Sequence, residues 1–502
     1  MKRSLRFLAG STLLALLACS CATVGPDYQA PTAPVQDEWL EYESPQLDST
    51  VPMAPQWWKT AFNDPILDRL VETALAQNYS LRSAGLRVLQ ARQRLAIAIG
   101  NQYPQQQQLS GQAGIAGVSS SAAYEIYDLG FNLTWEADVW GRFKRQIESA
   151  SAALEASVGS YDGIMVSLIA EVARTYLLIR TTQQRLTVAE TNLVLQQESV
   201  RITTAKYEGG EVSSLDVEQA QTLFYNTQAS VRSLELSLQQ FKNSLAILLG
   251  QPPHDMRAIF GTVQPVPAVS PAVAVGMPQN LIRRRPDIRI AERQLAAQSA
   301  QIGFAVSDLY PHFALGGSIS TSVSTNGSLN ASDLLSPETI GYSLFGAFQW
   351  NIFQYGRLKN NIRLQDAIFQ QLLEDYRQTV IQAQGEVENA IVAFFKSQQQ
   401  MVSLQSAASA AQRAADVSTV QYEEGEVPYN TVITTLRALV AQQDQLAAIQ
   451  GTVTTNLVDL YKSLGGGWEL RISPDPLDLI DGQTRQEMLE RTKYWNKTFE
   501  RE

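Results

Sequence analysis

The chain has 502 residues, a formal net charge of −10 and only two histidines. Charged residues make up 18% of it, and the absence of a basic run argues against a nucleic-acid-binding protein. The sequence also lacks the G-x-S-x-G and H-E-x-x-H motifs of serine hydrolases and zinc proteases. We therefore expect a protein that is not an enzyme and that needs no metal or other cofactor.

The N terminus, residues 1–21, has the pattern of a signal peptide with a lipoprotein-processing site. A basic start precedes an apolar run at 7–17, which is too short to span a bilayer as a helix. The only two cysteines, Cys19 and Cys21, follow this run, and a C-x-C pair alone supplies too few metal ligands. The leucine three residues earlier favours lipidation at Cys19, whereas the distance to the segment 24–28 favours Cys21. We predict lipidation at Cys21, with Cys19 as the alternative.

Residues 22–56 are rich in Pro, Asp, Glu and Gln and show no helical period. We expect this part of the chain to be an extended segment that lies along the surface. Helical signals begin at Asp64, where an Asn-Asp-Pro sequence has the pattern of a helix N-cap with proline in the first turn. The predicted helices run to about Gly100, with a break at Asn78.

Strands are predicted next, because apolar and polar residues alternate at 127–136. Alternation over ten residues is typical of a transmembrane β-strand, and it also fits a half-buried strand of a soluble sandwich. The predicted strands lie around 109–115, 127–136, 313–323 and 342–352, and the loop tips lie around 119–124 and 324–341.

Very long helices are predicted after each pair of strands. Every seventh residue from Val158 to Val200 is apolar, and the rule restarts from Val217 to Leu245. A strict seven-residue repeat indicates helices that supercoil around each other. No proline interrupts 141–212, so this stretch can form one helix of about 100 Å.

The same architecture occurs twice. Adding 215 to the numbers of 127–250 gives 342–465 without a gap, and Trp135 then matches Trp350. We predict six parts, with the last one wrapping the middle of the molecule as an equatorial tail. These parts are a signal peptide (1–21), an extended segment (22–56), a first repeat (57–250), a linker (251–280), a second repeat (281–468) and a C-terminal tail (469–502).

The number of strands sets a condition on assembly. Two halves give four strands, which cannot close a barrel, and an open sheet edge is not stable in lipid. Three chains would supply twelve strands, enough for a closed barrel. A soluble location of the strands remains the other solution.

Several motifs in order give the chain a family resemblance. They are Cys21 to Tyr28 (CATVGPDY), Trp57-Trp58, Phe62 to Pro65 (FNDP), Arg285 to Asp287 (RPD), Tyr310-Pro311, Tyr422 with Gly425, and Leu464 to Trp468 (LGGGW). With these motifs the chain resembles the outer membrane factor family, the TolC-like efflux channels, in its NodT and OprM type lipoprotein branch. The resemblance covers nearly the whole chain.

The resemblance implies an α+β membrane protein that forms a homotrimer. A twelve-stranded transmembrane β-barrel would continue into a long periplasmic barrel of coiled-coil helices. The chain would be lipid-anchored in the outer membrane and extend into the periplasm. It would export drugs or other toxic small molecules as the passive exit channel of a tripartite system. Its partners would be a periplasmic adaptor and an inner membrane pump, together with outer membrane lipids.

The resemblance also places functional residues at the breaks between the long helices. The expected adaptor contacts are Tyr207, Gly210, Glu211, Val212, Tyr422, Gly425, Glu426 and Val427. Positive φ is expected at both glycines. Asp416 and Thr419 mark a possible periplasmic constriction, although Thr419 stands where the family leads us to expect an aspartate. The alternative function is a periplasmic coiled-coil lipoprotein without a pore.

Overall fold

The structure is a computed structural model that describes residues 23–40, 47–48, 53–119, 122–270, 272–276, 278–327, 329–471 and 475–499. Within these ranges the helices are α1 (Trp57–Phe62), α2 (Pro65–Gln77), α3 (Tyr79–Gly100), α4 (Arg142–Glu208), α5 (Ser214–Leu248), α6 (Arg257–Phe260), α7 (Leu281–Arg284), α8 (Pro286–Ser307), α9 (Arg357–Glu423), α10 (Tyr429–Ser463), α11 (Gly482–Arg491) and α12 (Asn496–Phe499). The strands are β1 (Leu47–Asp48), β2 (Gln106–Ala116), β3 (Tyr124–Ala137), β4 (Val273–Ala274), β5 (His312–Ser324) and β6 (Ile340–Gln349). Short 3-10 turns lie at Pro278–Asn280, Ala331–Leu335, Pro337–Thr339, Trp468–Leu470, Pro476–Leu479 and Lys493–Trp495.

The long helices repeat in length as well as in sequence. Helices α4 and α9 each have 67 residues, and α5 and α10 each have 35. At 1.5 Å per residue the 67-residue helices are about 100 Å long. The prediction of uninterrupted helices between the glycine-containing positions is confirmed.

The break predicted at Asn78 is also present. Its backbone is extended (φ −65°, ψ 122°), and its side chain forms hydrogen bonds with the start of α3 and the end of α5. The Asn78 Oδ1 atom accepts a hydrogen bond from the Leu81 amide at 3.0 Å, and Nδ2 donates to the Leu248 carbonyl at 2.9 Å. Asp64 caps α2 as its sequence indicates, because Oδ1 accepts from the Ile66 amide at 2.8 Å.

One antiparallel sheet has the order β2-β3-β5-β6. The central pair β3 and β5 joins the two copies, with Phe131 opposite Ile319. Strands β2 and β6 are the edges, and many apolar side chains of β6 face outward from the chain; Tyr342 and Leu344 are 87% and 89% exposed. All four predicted strands are present, and β3 begins at Tyr124, the end of the first predicted tip.

The chain divides into two compact units, and each unit combines parts of both sequence repeats. The first unit falls within 1–32, 87–158 and 290–377 and contains the four-stranded sheet. The second falls within 33–86, 159–289 and 378–502. No helix in the described ranges has both the length and the apolar character needed to cross a bilayer.

The second unit holds the predicted linker and the part of the predicted extended segment that follows residue 32. Leu47 pairs in parallel with Val273, so a two-residue strand of the N-terminal segment joins one from the predicted linker. At the C-terminal tail, Asp481 lies 3.8 Å from Arg82, and a side chain on Gly85 would meet the Leu479 carbonyl at 2.8 Å. The tail therefore packs closely on α3.

Candidate functional site: the hairpin tips and the junction between the hairpins

The two breaks between long helices are built in the same way. Helix α4 ends at Glu208 and α9 at Glu423, and a glycine with positive φ follows two residues later in each case: Gly210 at +79° and Gly425 at +81°. The glycine N–H donates to the carbonyl three residues earlier, which belongs to the tyrosine of the motif: 2.9 Å in the first tip and 3.1 Å in the second. This confirms positive φ at both glycines.

A second backbone bond completes each tip. The Glu211 amide donates to the Lys206 carbonyl at 2.9 Å, and the Glu426 amide donates to the Gln421 carbonyl at 2.8 Å. The two bonds together form a Schellman motif, in which the glycine occupies the left-handed position after the helix end. The glycine at the fourth position of each Tyr-x-x-Gly motif therefore follows from the hydrogen-bond pattern of a helix end.

The two tyrosines of the repeated motif have different environments. Tyr207 is 48% exposed, whereas Tyr422 is 5% exposed and packs on Tyr429 with ring centroids 5.3 Å apart. Val212 and Val427 pack against the same buried cluster that contains Tyr422. The sequence predicts tips of two kinds from the residues that follow each glycine, and the structure shows that the shared tyrosines also have different surroundings.

Lys206 connects the two tips. Its Nζ atom lies 3.1 Å from Glu211 Oε2, donates to the Glu423 carbonyl at 3.3 Å and lies 5.4 Å from the centre of the Tyr422 ring. One cation of the first hairpin thereby contacts both the backbone and the aromatic ring of the second. Sequence reasoning did not identify Lys206.

Tyr422 has a perturbed hydroxyl. Burial, followed by the charge of Asp216, raises the pKa of Tyr422 to about 12. Its hydroxyl has no hydrogen-bond partner among the described residues. The tyrosine therefore stays neutral at any physiological pH and acts by packing.

Polar contacts continue from the tips along the junction of α4 and α10, and we call them the polar ladder. They are Ser199 with Tyr429 (3.0 Å), Asn192 with Gln443 (2.8 Å), Arg185 with Asp444 (2.8 and 2.9 Å), Gln184 with Gln450 (2.5 Å) and Arg174 with Asp459 (2.6 Å). Partner numbers fall along α10 as they rise along α4, as antiparallel helices require. The ladder holds the two hairpins in one register.

The residues of the predicted constriction lie beside the junction. Asp416 is exposed and accepts a hydrogen bond from Gln412 at 2.9 Å, while Thr419 donates to the Ala415 carbonyl at 2.8 Å. Both line a groove of about 300 Å³ between the hairpins, with Leu195 on its opposite wall. The structure thus brings Asp416 and Thr419 together with Tyr422, and their part in narrowing a tunnel stays a prediction.

Other predicted sites are placed as follows. Cys19 and Cys21 lie outside the described residues. Among the residues that are described, no group of His, Cys, Asp and Glu side chains could hold a metal ion.

Comparison with known proteins identifies the family. The model of the family described as outer membrane efflux protein matches residues 70–251 and 277–466. The chain is 31% identical to Nodulation protein T of Rhizobium leguminosarum bv. trifolii, covering 88% of this chain and 94% of that protein. It is 30% identical to outer membrane protein OprJ of Pseudomonas aeruginosa, covering 91% and 96%.

A solved structure shares the fold. The outer-membrane channel OprN is 32% identical and superimposes with a TM-score of 0.83, covering 89% of this chain and all of that one. These matches extend over both repeats and include the hairpins and the sheet. The chain belongs to the outer membrane efflux protein family, the TolC-like outer membrane factors, and is an efflux channel of the outer membrane that extends into the periplasm.

Proposed function

We propose that this channel is the exit duct of a tripartite efflux system and lets small molecules such as drugs or other toxic compounds pass outward. Among its relatives are a pyoverdine export protein and the outer membrane protein of a toluene efflux pump. The observation that carries the proposal is the pair of roughly 100 Å helices that leave the sheet and end in two hairpin tips. A conduit of this length suits transport from the periplasm to the outside.

The duct is a homotrimer. Among the described residues, strands β2 and β6 have no neighbouring strand on one side, and backbone groups at an open edge are costly in lipid. Copies of the chain can pair β6 of one with β2 of the next, and three copies close a twelve-stranded barrel. Family membership supports this assembly.

The hairpin tips are the surface for a periplasmic adaptor, which couples the channel to an inner membrane pump. Loops at the ends of rigid elements commonly carry binding residues. The exposed residues Tyr207 and Glu211 would contribute from the first tip, and Glu426 from the second. Tyr422 supports the second tip from inside.

The channel works passively and without a cofactor. Its matched relatives are channels, which supports a protein that is not an enzyme. These relatives also argue against the alternative of a periplasmic lipoprotein without a pore. The lipid anchor is assigned to Cys21, with Cys19 as the alternative.

Ion conductance in planar bilayers tests the proposed function. Purified protein should insert and give discrete steps of equal size, one for each trimer. Protein that binds the bilayer but never conducts would support the lipoprotein without a pore. Protein heated until the trimer dissociates serves as the control.

A further inference from the structure

One buried arginine holds the first described residues of the chain. Arg145 of α4 is 2% exposed. Its guanidinium donates to the Val24 carbonyl at 3.1 Å, the Gly25 carbonyl at 3.1 Å and the Asp27 carboxylate at 2.9 Å. It also pairs with Glu148 at 2.8 Å. Burial of a guanidinium is costly unless its donors form hydrogen bonds, and here the N-terminal segment accepts three hydrogen bonds from Arg145.

Glycines allow this segment to approach the helices closely. A Cβ atom on Gly25 (φ +86°) would lie 2.3 Å from the Cα atom of Gly303 in α8. A Cβ on Gly303 would lie 2.7 Å from Arg145 Nε, and one on Gly141 would lie 2.8 Å from the Thr23 methyl group. The backbone of the N-terminal segment therefore contacts the backbone of α8 directly, and any larger residue at these glycine positions would prevent this contact.

Further hydrogen bonds fix both ends of the segment. The Val24 amide donates to the Trp140 carbonyl at 3.0 Å, and Lys144 Nζ donates to the Thr23 hydroxyl at 3.2 Å. At the other end, the Tyr28 hydroxyl donates to the Glu292 carbonyl at 3.3 Å. We call the surface formed by Gly141, Arg145 and Gly303 the anchor seat.

The anchor seat lies next to the end of the sheet. Strand β3 ends at Ala137 and α4 begins at Arg142, so Trp140 and Gly141 belong to the connection between them. Two peptide units separate Cys21 from Thr23, and this length of chain reaches at most about 7 Å. A lipid on Cys21 must therefore enter the membrane close to the β3–α4 connection.

We propose that the anchor seat positions the lipid-bearing N terminus relative to the sheet, with Arg145 as the positioning residue. The inference rests on the lipidation assigned under the proposed function. Lipid and sheet both enter the membrane, and the seat joins them through a short segment that several hydrogen bonds hold in place. The seat thereby couples acylation of the N terminus to insertion of the sheet.

Hydrogen exchange of the purified, lipidated channel tests the docking. Arg145→Met keeps a side chain of similar length and removes the donors, and Gly303→Ala blocks the approach of Gly25. Both should raise exchange of the amides of 23–28 by about tenfold or more, because the first removes the hydrogen bonds that Arg145 donates to the segment and the second keeps Gly25 from its close contact with α8. If Arg145→Met fails to fold, Gly25→Ala provides a substitute on the side of the N-terminal segment, and it should also raise exchange of 23–28. Arg201→Met, an exposed arginine on the same helix, is the matched control and should change nothing there.

A double-mutant cycle tests the coupling. The lipid is removed by Cys19→Ser together with Cys21→Ser, and outer membrane insertion of trimer is measured with and without Arg145→Met. Arg145→Met alone should retain acyl labelling and lower insertion about as much as loss of the lipid. All three substitutions together should lower it no further, because both changes act on the same step.

Two results would overturn the inference: unchanged exchange of 23–28 in both seat variants, or insertion losses that add. If the anchor seat only stabilises the fold, the insertion losses from Arg145→Met and from removal of the lipid should add, because a general loss of stability is independent of the lipid. Conductance of the trimers that do insert should equal that of the wild type. Absent conductance in wild-type trimers would instead contradict the proposed function and leave the seat unaffected.

Discussion

At the residue scale, Gly210 and Gly425 determine the backbone conformation of the tips. Both have positive φ, and a Cβ built on either meets no atom within 4 Å. The cost of a side chain at these positions is therefore conformational and not steric. Asparagine tolerates the left-handed region, whereas a β-branched residue such as valine does not. Comparing asparagine with valine at these positions therefore distinguishes the effect of backbone conformation from the effect of adding a side chain.

We predict that Gly210→Val and Gly425→Val lower drug export while trimer yield and outer membrane insertion stay near the wild-type level. The strain, about 1–2 kcal/mol at each tip, distorts the tip and leaves the rest of the helices intact. Gly210→Asn and Gly425→Asn should keep most of the export. Growth inhibition by exported drugs measures the effect. Gly385→Ala, in open space within α9, is the control. Normal export by both valine variants would exclude a role for tip shape.

A buried charge in the second unit gives a prediction about stability. Asp162 has no exposed surface and lies 3.1 Å from Arg289 and 2.9 Å from Arg471. Burial raises the pKa of Asp162, and the two arginines oppose this effect. Asp162→Ala leaves two cations without their shared carboxylate and should cost about 3–5 kcal/mol of unfolding free energy.

The control for Asp162 is Asp444→Ala. Asp444 pairs with Arg185 in the polar ladder, but its side chain is 41% exposed, so its loss should cost about 1 kcal/mol or less. Denaturant unfolding of the two purified variants measures the difference. If the two variants lose the same unfolding free energy, burial does not determine how much each carboxylate stabilises the protein.

At the scale of elements, sequence patterns predict the helices and strands well. Heptad spacing and the absence of proline depend only on local sequence, and α4 and α9 accordingly form 67-residue helices. Alternation also predicts β3 and β6, because a strand exposes its two faces in turn. The tip glycines are predictable for the same reason, since a helix end is local.

Contacts between helices were not predicted. The polar ladder joins residues more than 200 positions apart, such as Arg185 and Asp444. Neither residue has a distinctive neighbour in sequence, and the apolar heptads say nothing about which helices meet. The difference between Tyr207 and Tyr422 has the same origin, because identical motifs acquire different neighbours only after the hairpins pack.

The C-terminal tail gives a pH prediction. Asp481 caps α11 by accepting from the Thr484 amide at 3.1 Å and from its hydroxyl at 2.7 Å. Burial raises the pKa of Asp481, but the hydrogen bonds from Thr484 and the charge of Arg82 outweigh it and hold the pKa below the ordinary 3.8. Ionised Asp481 therefore stabilises the tail above pH 3.8, and this contribution disappears as the pH falls through the folded-state pKa.

Acidification below pH 3.8 should thus increase hydrogen exchange in 482–491. Asp481→Asn keeps a good N-cap without a titrating group, so its tail should lack the pH dependence. Asp481→Ala should cost about 1 kcal/mol at neutral pH through loss of the cap. If hydrogen exchange of the tail depends on pH in the same way in the wild type and in Asp481→Asn, a group other than Asp481 controls that dependence.

At the scale of the whole molecule, β2 and β6 are the edges of the sheet in the described part of the chain, and the proposed trimer pairs them between copies. We predict that native mass spectrometry of the detergent-purified protein gives a mass near three chains. A disulfide between cysteines introduced into β2 and β6 should form between chains, since the two strands are opposite edges of one sheet. A stable monomer with full β content would contradict the closed barrel.

The proposed trimer would present six tips of two kinds to the proposed adaptor, and the structure makes the difference between the two kinds testable. Glu211 and Glu426 are both exposed, but Glu211 is paired with Lys206, which also contacts the second hairpin. Photo-cross-linkers at either position should capture the adaptor in cells, whereas one at Glu338, between β5 and β6, should not. Lys206→Met should weaken capture at Glu211 more than at Glu426, because Glu211 loses its ion-pair partner. Glu426 is affected only through the contacts that Lys206 makes with Glu423 and Tyr422. Failure of both tip positions to cross-link would exclude the tips as the docking surface.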